Sequence, residues 1–434
     1  MAYDAPLNDM AFALQSVAGL SRLEGLEAFG NYDPELITPI LEEANKLARD
    51  VLAPLNASGD AHGAVLTEDG VKAAPGFADA YAQFREGGWM GLSAPEEWGG
   101  QGLGKMGMAV CYEEMNRSIF GPVVFNSAAP DDGNMMMLDM LATEDQKKRW
   151  LTPIVNGDVR SAFAMTEPHP GGGSDPGMML TKATRDGDDW VVEGRKWFIT
   201  GAEGAAHFTL MARTSDDPRR GLTAFQFHKD TPGWHIERRI PIMGPEEHGG
   251  HCEMIFDGLR VPDADVLMGE GRGLKVTQAR LGPARLTHCM RWLGLSKRCV
   301  EIATDYASSR MGFGVKLIER ESVQMMLGKL AMDIEIGRLL VMKAAYEIDQ
   351  GRYGQKEVSM AKIHVANLLH QAADVAIQLN GARGYSTDTP LEWIYRYARQ
   401  ARLVDGADEV HKMVLSRHLN NLGRDFWSWD ATDG

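Results

Sequence analysis

Gly194-Arg-Lys-Trp-Phe-Ile-Thr-Gly201 breaks with the texture of the chain before it. Aromatic and β-branched residues sit together between two glycines, the pattern of a strand rather than of a helical face. The same texture extends outward from about Arg160 to Leu274. Trp190 to Val192, Phe208 to Ala212, Thr223 to Phe227, Trp234 to Ile236 and Cys252 to Phe256 are short β-rich runs separated by Gly, Asp and Pro turns. The flanks read differently. Residues 33–155 are mainly helical: Leu36, Ile40, Leu41, Ala44, Leu47 and Val51 give Pro34 to Leu52 a helical period, and Val110 to Met115 and Glu144 to Ile154 continue it. From Lys275 onward long amphipathic helices return, with Val323, Leu327, Leu330, Ile334 and Val341 on one stripe. Breaks are expected near 312–314, 351–354 and 381–390. A compact β domain between two helical regions follows.

Composition excludes several classes of function. The 434 residues are enough for two to four structural units, and 44% hydrophobic with 24% charged residues is ordinary globular usage. No run of eighteen apolar residues exists to span a membrane. Asp4, Asp9, Glu24 and Glu27 lie where a signal peptide would be basic and then apolar, so the expected location is cytoplasmic. Cys111, Cys252, Cys289 and Cys299 show no CxxC spacing, which favours reduced thiols and argues against a zinc or other metal site. A net charge of −15 without a basic run argues against nucleic acid. Met135 to Met137 reads as core filling.

Asp405 stands out in Arg402-Leu-Val-Asp-Gly-Ala-Asp-Glu-Val-His411. Leu403 and Val404 on one side could desolvate the carboxylate and make it a better base. A solvated helix-capping aspartate ahead of Glu409 fits the same residues.

Phe163-Ala-Met-Thr-Glu-Pro168, then Gly171 to Asp175, then Gly194 to Gly201 resemble the flavin-binding signature of acyl-CoA dehydrogenases. Gly88-Trp-Met-Gly-Leu92 and Trp98-Gly-Gly-Gln-Gly102 precede it, and Arg310 to Phe313, Gln378 to Gly384 and the Asp405 segment follow, all in family order. From about residue 126 the chain is more similar to the branch holding the human family members ten and eleven. Ala129 to Asn134, His248-Gly-Gly-His251, Gly269 to Gly273, Arg280 to Arg285 and His288-Cys-Met-Arg291 carry that likeness. The first hundred residues resemble longer bacterial dehydrogenases of the methylthiopropionyl-CoA type. The implied fold is α+β, the acyl-CoA dehydrogenase fold: an N-terminal helical domain (1–158), a middle β-barrel-like domain (159–274) and a C-terminal four-helix bundle (275–434).

The resemblance implies FAD as cofactor and a role for each matching residue. Phe163, Met165 and Thr166 would meet the flavin edge, with Phe198 and Thr200 at the ring and phosphate side and Gly173 in the same cofactor set. Phe198 stands where the family usually has Trp, and strand packing is the alternative for it and Trp197. Arg310, Phe313, Glu321, Gln378, Gly381 and Ala382 would complete the FAD site of a neighbouring subunit in a homodimer or homotetramer; a helix-cap arginine and loop glycines are the alternative. Glu321 replaces a common Gln and Ala382 a common Gly. Ala407 and Glu409 belong to the same cofactor set. Ser174 would bind the CoA arm, or be a turn serine in a loop that His169 and Pro170 lengthen.

In this family a carboxylate removes the proton α to the thioester while the β-hydrogen leaves as hydride. Asp405 fills the position usually held by Glu, and the alternative base position is Ala284. Gly406 would lie against the substrate. Arg285, His288 and Trp292 share a helix face with Arg291 at its flank, so the acyl pocket is expected to take a polar or anionic substituent. A surface salt bridge and a core histidine would explain the same residues. The implied activity is acyl-CoA dehydrogenation, with an electron-transfer flavoprotein as acceptor. Elimination of phosphate from a 4-phosphoacyl-CoA and a nitroalkane-type carbon-acid oxidase are the alternatives.

Overall fold

The computed structural model describes residues 7–17, 19, 34–68, 70–105, 108, 111, 131–217, 220–243 and 250–427. Two compact units emerge from its internal contacts. Met1–Arg49, Lys105–Ile119 and Arg285–Gly434 form the first, Asp50–Gly104 and Phe120–Ala284 the second.

In the second unit, after the helical segment Asn56–His62, comes an antiparallel hairpin of β1 (Val65–Thr67) and β2 (Gly70–Lys72), which the mainly helical reading of this region did not include. Each strand is only three residues long, too short for a period to register. Its centre is an eight-stranded sheet: β3 (Ser161–Ala164), β4 (Lys182–Asp186), β5 (Asp189–Thr200), β6 (His207–Arg213), β7 (Leu222–His228), β8 (Trp234–Arg239), β9 (His251–Pro262) and β10 (Val266–Leu267). The order is β10-β7-β6-β4-β5-β9-β8, with β3 parallel to β6.

β6 and β7 are buried over six consecutive residues each, because both of their faces are covered. Phe208, Leu210, Phe225 and Phe227 pack with Trp190, Val192 and Phe256 in one core. Met211, Leu222 and Ala224 face the other way, onto Met135, Met137, Leu138, Trp150 and Ile154 from the helical segments between Asp131 and Val155. The methionine run is therefore core filling at Met135 and Met137, as read. Burying each such side chain contributes about 2 kcal/mol.

The first unit is helical. Its long elements are the part of Gly273–Ser309 from Arg285 on, Glu321–Asp349 and Gln355–Asn380, followed by Leu391–Ala401 and Asp408–Leu422. The three glycine-bearing breaks fall between these helices, as expected. Val323, Leu327, Leu330, Ile334 and Val341 are all buried. Apart from Cys111, the expected helix from Val110 to Met115 lies outside the described residues, as do Ala129, Pro130, His248 and Gly249. Among the described residues no helix is long and apolar enough to cross a membrane.

Candidate active site

In the second unit, β3 ends at Ala164 and hands the chain to Met165 and Thr166, both half-buried. Glu167 then turns inward. Its carboxylate accepts N–H bonds from Gly172 (3.1 Å), Leu180 (2.6 Å) and Thr181 (2.8 Å) and pairs with Lys196 Nζ at 2.9 Å. Lys196 Nζ also donates to the Met165 carbonyl at 2.9 Å, and Trp197 N donates to Thr166 O at 2.9 Å. These two bonds fix the Met165 and Thr166 backbone against β5. Burial would raise the Glu167 carboxyl, but the Lys196 charge and the hydrogen bonds more than offset it and hold it at about 2. Burial in turn pushes Lys196 down to about 8 against the pull of Glu167. Gly171 is required here, since a Cβ would stand 2.3 Å from Glu167 Oε2.

This pair was not singled out in the sequence, although a signal existed. Lys196 has the parity of the buried residues Trp190 and Val192 on β5, and a lysine there needs a counter-charge. A bulge between Lys196 and Ile199 then turns both Trp197 and Phe198 away from the core. Phe198 adopts φ 53° and leaves 44% of its surface exposed in mid-strand. A strained, exposed aromatic beside donor-bearing backbone fits a flat, polar-edged ring system. Thr200 Oγ1 lies 3.0 Å from His251 Nδ1, and Phe163 sits beneath the Arg280 guanidinium at 4.8 Å. Gly173 and Ser174 are exposed on the loop that Glu167 anchors.

The first unit holds Asp405. It occupies a left-handed turn (φ 51°) followed by Gly406 (φ 103°), and Ala407 caps the Asp408–Leu422 helix. The expected apolar shielding fails at Leu403, which is 57% exposed. Polar neighbours surround the carboxylate instead. His288 Nε2 is 2.8 Å from Asp405 Oδ2, and the Asp405 carbonyl accepts from Arg285 Nε (2.7 Å) and meets His411 Nε2 (3.3 Å). His288 stacks on Trp292 and accepts a bond from Arg291 at Nδ1. Arg291, expected beside the acyl chain, is buried at 2% against His288 and the Tyr397 ring, so it can reach a substrate only through His288.

Asp408, Lys362 and His411 support this turn and were missed in the sequence, where nothing local marks them. Asp408 is buried and accepts from Lys362 (3.1 Å), Asn367 (2.9 Å) and Arg402 (3.0 Å). His411 is held neutral, pushed down to about 4 by burial and by the Arg285 and Lys362 charges. Glu409 is exposed in the first helical turn. The residues expected to serve a neighbouring subunit are all exposed on this unit: Arg310, Phe313 at the tip of a small hairpin, Glu321, Gln378, Gly381 and Ala382.

Sequence patterns for the N-terminal, middle and C-terminal domains of acyl-CoA dehydrogenase match residues 38–158, 162–259 and 271–420. The chain belongs to the acyl-CoA dehydrogenase family, and FAD is the cofactor the family fold carries. It is 38% identical over 327 residues to acyl-CoA dehydrogenase family member 11 of Rattus norvegicus, covering 73% of this chain and 42% of that protein. The chain thus spans less than half the length of that relative. A "Probable acyl-CoA dehydrogenase FadE2" of Mycobacterium tuberculosis is 40% identical over 304 residues, 68% of this chain and 74% of that one. The structure of butyryl-CoA dehydrogenase from Megasphaera elsdenii matches with a TM-score of 0.79 at 26% identity, covering 88% of this chain and 98% of that chain.

Proposed function

We propose that this chain dehydrogenates a CoA thioester, with Asp405 taking the α-proton to give a 2-enoyl-CoA. One observation carries the reading: Asp405 sits at a strained turn (φ 51°) with its backbone carbonyl engaged by Arg285 and His411 from two helices and its carboxylate 2.8 Å from His288. FAD, when bound, supplies the acceptor for the β-hydrogen as hydride. Phe163, Met165, Thr166, Phe198 and Thr200 would hold its ring, with Gly173 nearby and Ser174 on the CoA arm. Arg310, Phe313, Glu321, Gln378, Gly381 and Ala382 would complete the FAD site of a second copy, and their exposure in the single chain supports that reading. An electron-transfer flavoprotein is the proposed acceptor.

The acyl chain is proposed to carry a polar group. Arg285 beside Asp405 places a guanidinium where an alkyl chain would gain nothing from it, whereas a hydroxyl or phosphate beyond the β-carbon would; both ring nitrogens of His288 already face Arg291 and Asp405. The test is flavin bleaching by hexanoyl-CoA and its 4-hydroxy and 4-phospho derivatives. Preference for a substituted chain, lost in Arg285→Met, supports the reading; equal loss on all three esters refutes it. Asp405→Asn should slow bleaching by about two to four orders of magnitude while ester binding survives. Near wild-type bleaching in that variant ends the assignment of the base.

A further inference from the structure

Arg291, His288 and Asp405 are joined in series within the first unit. Arg291 Nη2 bonds His288 Nδ1, and His288 Nε2 lies 2.8 Å from Asp405 Oδ2. A guanidinium only donates, so the nitrogen it meets must present a lone pair. The ring proton is then on Nε2, the nitrogen that lies 2.8 Å from Asp405 Oδ2. An imidazolium would carry protons on both nitrogens and oppose the arginine. A histidine beside a carboxylate ordinarily gains a second proton, and the resulting cation would make that carboxylate a weaker base.

We propose that Arg291 is a positioning residue that acts through His288: it locks the imidazole as the neutral Nε2–H tautomer, so that Asp405 stands against a neutral ring and keeps the basicity an adjacent cation would take from it. The inference rests on the assignment of Asp405 as base. The surroundings suit it. Arg291 is 2% exposed and its guanidinium lies over the Tyr397 ring at 5.7 Å, while the His288 ring is stacked on Trp292 at 5.3 Å and 17°. Among the described residues, the charged or titratable groups facing the series include Arg285 and Cys289 from the same helix, Lys362 from Gln355–Asn380, Tyr397 from Leu391–Ala401 and His411 from Asp408–Leu422. Arg285 and His411 engage the Asp405 carbonyl, and Lys362 is paired with Asp408. Burial pushes the Cys289 thiol up to about 12, so it stays protonated.

The first measurement is nitrogen NMR of histidine-labelled holoenzyme between about pH 6 and 8, with His288→Gln assigning the resonance. Nδ1 bare and Nε2 protonated throughout is the expected result. An imidazolium or the opposite tautomer overturns the proposal. The second is stopped-flow flavin reduction over the same range, with whichever of hexanoyl-CoA and its 4-hydroxy and 4-phospho derivatives reacts fastest. Arg291→Met frees Nδ1 to titrate, so the rate should fall about tenfold at the acid end and recover as pH rises. That limb should be absent from the wild type and from Arg291→Lys, which keeps a donor, and should vanish in His288→Gln/Arg291→Met. An Arg291→Met profile parallel to wild type overturns the relay. Asp405→Asn separates the two claims: wild-type reduction there fells the base assignment, whereas an inactive Asp405→Asn with an unchanged Arg291→Met profile fells the relay alone.

Discussion

Lys196→Met removes the charge that pairs, among the described residues, with a carboxylate that the second unit has folded around. The lysine side chain is 0% exposed and that of Glu167 2%, and Lys196 Nζ bridges Glu167 Oε1 and the Met165 carbonyl at 2.9 Å each. Breaking a buried pair by deleting one partner costs about 3–5 kcal/mol, since the remaining charge stays desolvated. Three N–H bonds from Gly172, Leu180 and Thr181 persist, which places the expected cost near the lower end. For a unit of this size each kcal/mol lowers the melting temperature by about 2–4 °C, so a drop of about 6–12 °C is expected. Thermal unfolding followed by circular dichroism, with flavin content measured in parallel, reads both stability and the Met165–Thr166 edge. Glu167→Gln/Lys196→Met should recover at least half of the loss, because no charge is left buried. The penalty should grow above pH 8: there the folded wild type, with Lys196 pushed down to about 8, releases a proton that the unfolded chain keeps until its ordinary value of 10.5, so wild-type stability rises with pH while the variant's does not. A single variant within about 1 kcal/mol of wild type at neutral pH, or a double variant no better than the single, would refute the reasoning.

Gly406→Ala places a Cβ 2.9 Å from His411 Nε2 on a residue at φ 103°; flavin reduction should fall about tenfold or more with flavin content retained. Phe198→Ala should weaken FAD binding about fivefold to tenfold if the proposed ring contact holds, measured by fluorescence titration, while changing the melting temperature little, because the ring is 44% exposed and adds little to the core. His207 and His411 have folded values of about 4 against the ordinary 6.5, both chiefly through burial. The unfolded chain therefore binds protons first: stability is fully present above about pH 6.5 and falls by up to about 3 kcal/mol per histidine as pH drops to about 4. Denaturation midpoints at pH 7 and pH 5 that coincide would contradict this.

The sequence alone determined the succession of helical, β and helical regions, because each rests on a period that neighbouring residues carry. The runs around Phe208 and Thr223 are strands buried on both faces, and the stripe from Val323 to Val341 is buried as its helical spacing requires. The motif residues from Phe163 to Thr200 and around Asp405 were legible as segments, through their resemblance to a family rather than through a period. Their chemistry was not. β5 runs unbroken from Asp189 to Thr200, and its bulge, set by pairing with β9, decides that Lys196 faces inward while Trp197 and Phe198 do not. Glu167 meets Lys196 across 29 residues and Arg285 meets the Asp405 carbonyl across 120. Leu403 and Val404 suggested an apolar setting for Asp405, yet Leu403 is exposed and the carboxylate meets an imidazole. Periodicity records which face of an element avoids water; which charges meet behind that face depends on how distant elements pack, and only the tertiary structure fixes that.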